Sequence, residues 1–340
     1  MIGACMKRMI KNLIKNTIVK KIIVFLLFQL IFTVVIFPLY TFYGPFTKVR
    51  DMLVGLSMST GNYQFVAKMF FSEEDINNIL QEENIKNNKE AVSVSTTKVE
   101  MDFNLDYIEK ININTNKFEG IALIVKDSSK VKVGYSSKLG TRGETVTEMA
   151  ERYNALAAIN GGGYSDVSPT GKTGGTGGAP LGIIISNGQV IFPKNNENYN
   201  IEENCVFSID DKGKMYVGPA SVNSLIEKKV QEALSFSPTL IVNGEPYISE
   251  NSLGGVNPRT AIGQRKDGSI ILLVLDGRQG LKLGATLKDV QTIMINLEAE
   301  NAMCLDGGGS TAMYYKGEIV NNPSSVTGER AVPNIVYVKP

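Results

Sequence analysis

The chain contains neither histidine nor tryptophan in 340 residues. Without histidine, a histidine-dependent catalytic triad and a histidine-ligated zinc site are both excluded. Proton transfer falls to Asp, Glu, Tyr, Lys or Cys. Cysteine is scarce too. Cys5, Cys205 and Cys304 never stand in a CxxC pair, so neither a disulfide framework nor a metal knuckle is indicated. A Cys205–Cys304 bridge and two buried thiols both stay open. A dominant charge is missing as well. The formal net charge of +1 gives no case for a nucleic-acid-binding surface.

Charge is absent locally from residues 22–47, and most of that stretch is apolar. As a helix it is long enough to cross a bilayer core of about 30 Å. Lys7, Arg8, Lys11, Lys15, Lys20 and Lys21 precede it, and Lys48 and Arg50 follow. The positive-inside rule then puts the N-terminus in the cytoplasm and the remainder outside. A cleaved signal peptide is the rival, with an apolar region of about 7–15 residues and a small-residue cleavage site. The longer run here ends Phe-Pro-Leu-Tyr-Thr-Phe-Tyr-Gly-Pro, which favours an uncleaved signal anchor. The expected division is a basic cytoplasmic tail (1–21), a transmembrane anchor (22–47), a helical stalk and polar linker (48–98) and a folded extracellular domain (99–340). Ser72-Glu-Glu-Asp75 reads as a helix start within the stalk.

What is abundant is glycine, and its placement organises the folded part. Ala302-Met-Cys-Leu-Asp-Gly-Gly-Gly-Ser-Thr311 reads as a strand buried on both faces that ends in Asp306 and three glycines. Ala155-Leu-Ala-Ala-Ile-Asn-Gly-Gly-Gly-Tyr164 repeats the pattern with Asn160 in the place of Asp306. The flanks repeat as well. Residues 121–126 and 131–135 read as a hairpin followed by a helix over 144–153. Residues 259–265 and 269–275 read as a second hairpin, followed by a helix over 286–300. Each glycine run leads into another hairpin, turning at Asn187-Gly188 and at Lys316-Gly317.

The expected fold class is therefore α+β: mixed β-sheets with packed helices, arranged as two related ββ-α-β-GGG-ββ units around a shared cleft and preceded by one transmembrane helix. A pseudo-twofold arrangement would bring Asn160 and Asp306 together. Between the units, residues 193–237 read as an excursion with a hairpin around 210–213 and a helix over 221–233. The loop 165–179 contains Gly171-Lys-Thr173, but a phosphate-binding P-loop needs glycine where Asp166 stands, so that reading fails.

Polar residues gather at strand ends of the second unit: Asn257-Pro-Arg-Thr260, Leu275-Asp-Gly-Arg278, Asp306 to Thr311, and Glu329-Arg330. Arginine forks bind phosphate or carboxylate, and paired carboxylates serve glycoside cleavage. Structural ion pairs are the alternative, although these would not need adjacent glycines. Together with Asn160-Gly-Gly-Gly-Tyr164 and Asn257-Pro-Arg-Thr-Ala-Ile-Gly263, these pieces resemble the phosphodiester glycosidase family across roughly residues 100–340. That family includes the lysosomal uncovering enzyme and bacterial proteins once called exopolysaccharide biosynthesis proteins. The resemblance implies hydrolysis of a sugar-1-phosphodiester between the anomeric carbon and the phosphate oxygen. The expected substrate is a cell-envelope polysaccharide or glycopolymer.

On this reading Arg259 and Arg278 hold the phosphate, Asp306 is base or nucleophile, and Asp276 is its carboxylate partner. Asn160 and the backbone amides of Gly161, Gly162, Gly307 and Gly308 orient oxygens, and Ser310, Thr311 and Arg330 add contacts. No cofactor is required, and a divalent cation between Asp276 and Asp306 stays open. Two other readings are a non-catalytic module binding an anionic glycopolymer and a sugar-phosphate transferase.

Overall fold

The computed structural model describes residues 17–58, 64–76, 78–79, 95–101, 107–165, 176–248, 255–280, 282–325 and 328–340. The basic tail up to residue 16, most of the expected linker, and residues 166–175 of the Gly/Ser/Thr-rich loop lie outside these. The N-terminal helices are α1 (Thr17–Ile31), α2 (Phe37–Tyr43), α3 (Thr47–Met58) and α4 (Gln64–Phe70). A π-helical segment, Phe32–Ile36, separates α1 from α2. The expected anchor over 22–47 is thus not one helix. Among the described residues, no helix is long and apolar enough to cross a membrane. At 1.5 Å per residue, the 15 residues of α1 reach only about 22 Å. The end of the expected anchor and the stalk share a core, formed by Phe42 with Val54, Ala67, Ile76 and Ile79. Ser72 caps the turn after α4, its Oγ accepting from Asp75 N at 3.1 Å.

The folded part runs β1 (Ser95–Met101), β2 (Ile108–Asn114), β3 (Glu119–Val125), β4 (Val131–Tyr135), α5 (Val146–Arg152), β5 (Ala157–Asn160), β6 (Ile184–Ser186), β7 (Gln189–Phe192), β8 (Glu202–Asp210), β9 (Met215–Ser221) and α6 (Val222–Glu227). It continues through β10 (Val230–Ser235), β11 (Thr239–Val242), β12 (Glu245–Pro246), β13 (Arg259–Arg265), β14 (Ile270–Leu275), α7 (Leu287–Asn296) and β15 (Ala299–Leu305). It ends with β16 (Met313–Tyr315), β17 (Glu318–Ile319) and β18 (Asn334–Val338). The first sheet has the order β1-β2-β3-β14-β13-β15-β11-β12, the second β17-β16-β5-β18-β4, and the third β7-β6-β10-β8-β9.

The three sheets face one shared core, and each is backed by one helix. Along β14, Ile270, Leu272 and Val274 enter the shared core, while Ile271, Leu273 and Leu275 meet α7 residues Val290, Ile293 and Met294 on the other face. Period-two alternation with both faces apolar is what a strand buried on both sides requires. The second sheet does the same with Val336 inward and Ile335 and Tyr337 towards Val146 and Met149 of α5. Both α5 and α7 open on capping boxes, Thr145 with Glu148 and Thr286 with Asp289.

Two sheets repeat one strand order, but it is assembled differently from the expected units. Residues 121–135 do not form a hairpin: β3 pairs with β2 and β14, while β4 pairs with β18 in another sheet. In the first sheet β13 lies between β14 and β15, antiparallel to both, and β15 pairs with the β11–β12 hairpin. In the second, β18 lies between β4 and β5, antiparallel to both, and β5 pairs with the β16–β17 hairpin. The repeated unit is therefore hairpin, central strand, outer strand, helix, inner strand. One copy is continuous, and the other is closed by the C-terminal strand. A second correction falls on the helix expected over 221–233. It ends at Glu227, Lys229 takes φ +55°, and 230–235 is a strand between β6 and β8.

Candidate active site

The ends of β5 and β15 are bonded to each other. Asn160, fully buried, donates from Nδ2 to the carbonyl of Asp306 at 2.5 Å, and Asp306 N donates to the carbonyl of Gly161 at 2.9 Å. The Oδ1 of Asn160 accepts from Thr260 Oγ1 at 2.8 Å and from Ala312 N at 3.2 Å. Asn160 thus joins four segments, and this side chain belongs to the scaffold. The expected meeting of Asn160 with Asp306 is present; the expected role of Asn160 in orienting ligand oxygens is not what its contacts serve.

The glycine amides are engaged in the same way. Gly161 N donates to Asn334 O at 3.0 Å, Gly162 N to Asn334 Oδ1 at 2.6 Å, Gly308 N to Pro258 O at 2.9 Å, and Gly307 N to Asp306 Oδ1 at 3.0 Å. Buried backbone donors must be paired, and here the fold pairs them itself. The amides of Gly161, Gly162, Gly307 and Gly308, expected to orient ligand oxygens, donate within the fold, and side chains stand next to the second glycine run.

Those side chains are arginines. A Cβ added at Gly308, where φ is +60°, would stand 3.4 Å from Nη2 of Arg278. One added at Gly309 would stand 2.9 Å from Cδ of Arg330. The glycine turn after Asp306 therefore admits two arginines side by side. Arg278 donates from Nη2 to Asn257 Oδ1 at 2.8 Å, and Arg330 lies 5.5 Å from the ring centre of Tyr164. Burial and the positive charge of Arg330 hold the Arg278 guanidinium below its usual pKa. The two positive charges are thus close enough to feel each other, a setting that favours an anion.

Arg259 is placed differently. Its Nε donates to Ala285 O at 3.1 Å and its Nη2 to Gly255 O at 2.7 Å. Burial lowers its pKa, and so does the charge of Arg278. It lies within electrostatic reach of the pair while bracing the entry to β13. Asp276 is likewise a brace. Its Oδ1 accepts from Asn321 Nδ2 at 2.8 Å and its Oδ2 from Asn322 N at 3.0 Å. That loop carries Ser324, whose Oγ donates to Gly308 O at 3.3 Å. Asp276 thus acts through residues 321–325 on the glycine turn, and the expected pairing with Asp306 is not among its contacts. Thr311 is buried, 3.4 Å from Thr260 Oγ1, and Ser310 Oγ lies 3.3 Å from Tyr164 OH. Among the described residues, no group of three or more Asp, Glu or Cys side chains is placed to hold a metal ion.

Several contributors had been given no role from the sequence. Tyr164 directly follows its glycine run, which was signal enough. Asn257 stands inside the Asn-Pro-Arg-Thr motif. Glu329 fixes the Arg330 segment by accepting from Thr147 N at 3.0 Å and Thr147 Oγ1 at 2.6 Å. Asn321, Asn322 and Asn334 carry no local pattern that marks them.

The arrangement, a carboxylate at a buried strand's end followed by a glycine turn between arginines, has relatives. The family described as phosphodiester glycosidase matches residues 153–339. The chain belongs to that family. Among curated members and relatives, the SPbeta prophage-derived uncharacterized protein YomE of Bacillus subtilis is 32% identical over 210 residues, covering 60% of this chain and 31% of that protein. The bovine N-acetylglucosamine-1-phosphodiester alpha-N-acetylglucosaminidase is 27% identical over 201 residues, 54% of this chain and 35% of its own. The matches span about a third of these relatives' length. The catalytic domain of the zebrafish N-acetylglucosamine-1-phosphodiester alpha-N-acetylglucosaminidase, auto-inhibited by its pro-peptide, shares the fold: TM-score 0.57 at 23% identity, over 76% of this chain and 94% of that one. A hypothetical protein from Synechocystis gives 0.56 at 15%, over 73% and 67%.

Proposed function

We propose that this chain hydrolyses a sugar-1-phosphodiester, cleaving between the anomeric carbon and the phosphate oxygen. The observation that carries it is the approach of Arg278 and Arg330 to Gly308 and Gly309, directly after Asp306. A phosphodiester is a good leaving group, so charge stabilisation matters more than acid help. The two arginines hold the phosphate and stabilise its charge as the bond to carbon breaks. An anion between two close positive charges is attracted by both. Asp306 acts at the anomeric carbon, by attacking it or by taking a proton from the attacking water. Retention of configuration in the released sugar would mark the first course, and inversion the second. Arg259 and Asp276 hold these groups in place.

The same proposal places the domain outside the cell, on the membrane, with a cell-envelope glycopolymer as substrate. Support comes from the N-terminal helices. The junction residues Ile31, Ile36 and Phe37 all keep right-handed helical dihedrals, so α1, the π segment and α2 follow one another without a turn. Together, residues 17–43 extend about 40 Å at the helical rise. Val24, Phe25, Leu26, Leu27 and Phe28 are all exposed, a surface suited to lipid rather than water. Lys20 and Lys21 stand at its start.

The test is release of free sugar by the full-length chain in detergent from a sugar-1-phosphodiester such as N-acetylglucosamine-1-phosphodiester, the substrate type in the curated relatives' names. Sugar release without an acceptor supports hydrolysis; an obligatory acceptor supports a transferase instead. Polymer binding without any turnover supports a binding module.

A further inference from the structure

Beside Gly163, at the end of the glycine run that follows Asn160, lies a cavity of about 300 Å³. Its wall includes Gly163, Leu181, Glu203, Asn204, Ser235 and Phe236. We propose that this cavity is the subsite for the neutral pyranose ring of the substrate. The inference rests on the sugar-1-phosphodiester reading above and names where the uncharged half of that substrate sits.

Three features point to a sugar. The first is the floor. A Cβ added at Gly163 would stand 3.2 Å from the Phe236 ring, so the glycine leaves that aromatic edge uncovered beside the chain. Leu181, exposed, adds an apolar rim. An aromatic and an aliphatic face suit the C–H surface of a pyranose.

The second is the polar complement. Glu203 is half-buried and, among the described residues, its carboxylate has no hydrogen-bond or ion-pair partner. A carboxylate offers only acceptors and matches the hydroxyl donors of a sugar. Asn204 is exposed at the rim. Ser235 Oγ accepts from Ile183 N at 2.8 Å, which leaves its proton to donate. A small cavity of mixed lining with a few convergent polar groups, at the low end of the roughly 300–1,000 Å³ range, suits a single small ligand.

The third is the separation of charge. Arg278 and Arg330 stand beside Gly308 and Gly309, whereas Glu203 lines this cavity. A phosphate is repelled by Glu203, whereas a neutral ring is not. A ligand with one anionic and one neutral half therefore has one orientation, phosphate over Gly308 and ring over Phe236. The bond between the halves then lies beside Asp306, whose amide is held by Gly161.

The experiment is saturation-transfer NMR on the full-length chain in a zwitterionic detergent free of sugar headgroups. Free N-acetylglucosamine and free glucose are the probes. Wild type should transfer saturation to ring C–H protons of at least one, and inorganic phosphate should not displace it. Glu203→Gln, at a carboxylate with no partner to lose, should weaken this binding about tenfold by exchanging a charged acceptor for a neutral amide. Phe236→Ala should abolish the transfer, and both should raise KM for a sugar-1-phosphodiester. Sugar binding at this cavity without turnover would remove the proposed activity and leave the subsite standing. Absence of transfer from both sugars to wild type would overturn it. So would displacement by phosphate, or unchanged binding in both variants with unchanged melting.

Discussion

The ends of β5 and β15 occupy matching places in the two repeats, yet they have opposite fates. At one, Asn160 is fully buried and makes hydrogen bonds to Asp306, Thr260 and Ala312. At the other, Asp306 keeps partial exposure and leads into the glycine turn that Arg278 and Arg330 approach. The buried end needs a donor and an acceptor in one neutral side chain, which asparagine supplies and aspartate does not. The exposed end needs a charge, which solvent and the arginines can tolerate. The two matching strand ends thus differ: one joins the sheets, and on the proposed reading the other meets substrate.

The largest expected effect comes from making the two ends alike. Asn160→Asp turns the donor facing the Asp306 carbonyl into an acceptor and buries a charge among neutral partners, which should cost about 3–5 kcal/mol of folding stability. Chemical unfolding measures it, and a variant within about 1 kcal/mol of wild type would break the comparison. The reciprocal change, Asp306→Asn, should act on rate instead. Sugar release should fall about 10²-fold or more, the scale of general-base loss, while melting and substrate binding persist. Full activity in that folded variant removes Asp306 from its role.

Arg278→Lys keeps the charge but loses the planar fork and the geometry of the bond to Asn257. KM should rise about tenfold, a loss of roughly 1.4 kcal/mol, with kcat less affected; an unchanged KM would shift phosphate recognition to Arg330 and Arg259. The smallest effect concerns Asp276, whose carboxyl is raised above its ordinary value by burial and then by the charge of Glu119, against the hydrogen bonds from Asn321 and Asn322. The native state therefore holds this proton more tightly than the unfolded chain. Its stabilising contribution is complete below the unfolded value of about 3.9 and is lost as pH rises through the folded one. Thermal melts of wild type and Asp276→Asn, compared from about pH 7 down to about pH 4, should move in favour of wild type on acidification. A difference that stays flat would place the carboxylate in a solvated setting.

Much of this was legible along the chain. The unbroken apolar run of β14 and the Asn187-Gly188 hairpin, whose two residues take φ +49° and +74°, announce themselves locally. The paired glycine runs announced that Asn160 and Asp306 would meet. The strand Val230–Ser235 was hidden, because its residues also satisfy a helical pattern and only pairing with β6 and β8 decides it. Asn321 and Asn322 were hidden too, since their importance lies in Asp276, 45 positions away for the first.

Composition excluded histidine chemistry, the repeats announced two strand ends, and the motifs announced a carboxylate among arginines. These follow from residue type and near-neighbour spacing, which a chain carries wherever it is read. The tertiary structure decided that β18 rather than β3 completes the second sheet. It decided that the glycine amides bond inward and that Arg330, more than Arg259, stands beside Arg278. Those outcomes depend on which distant segments satisfy a buried donor or share a low-dielectric space, and no local pattern encodes such a partner.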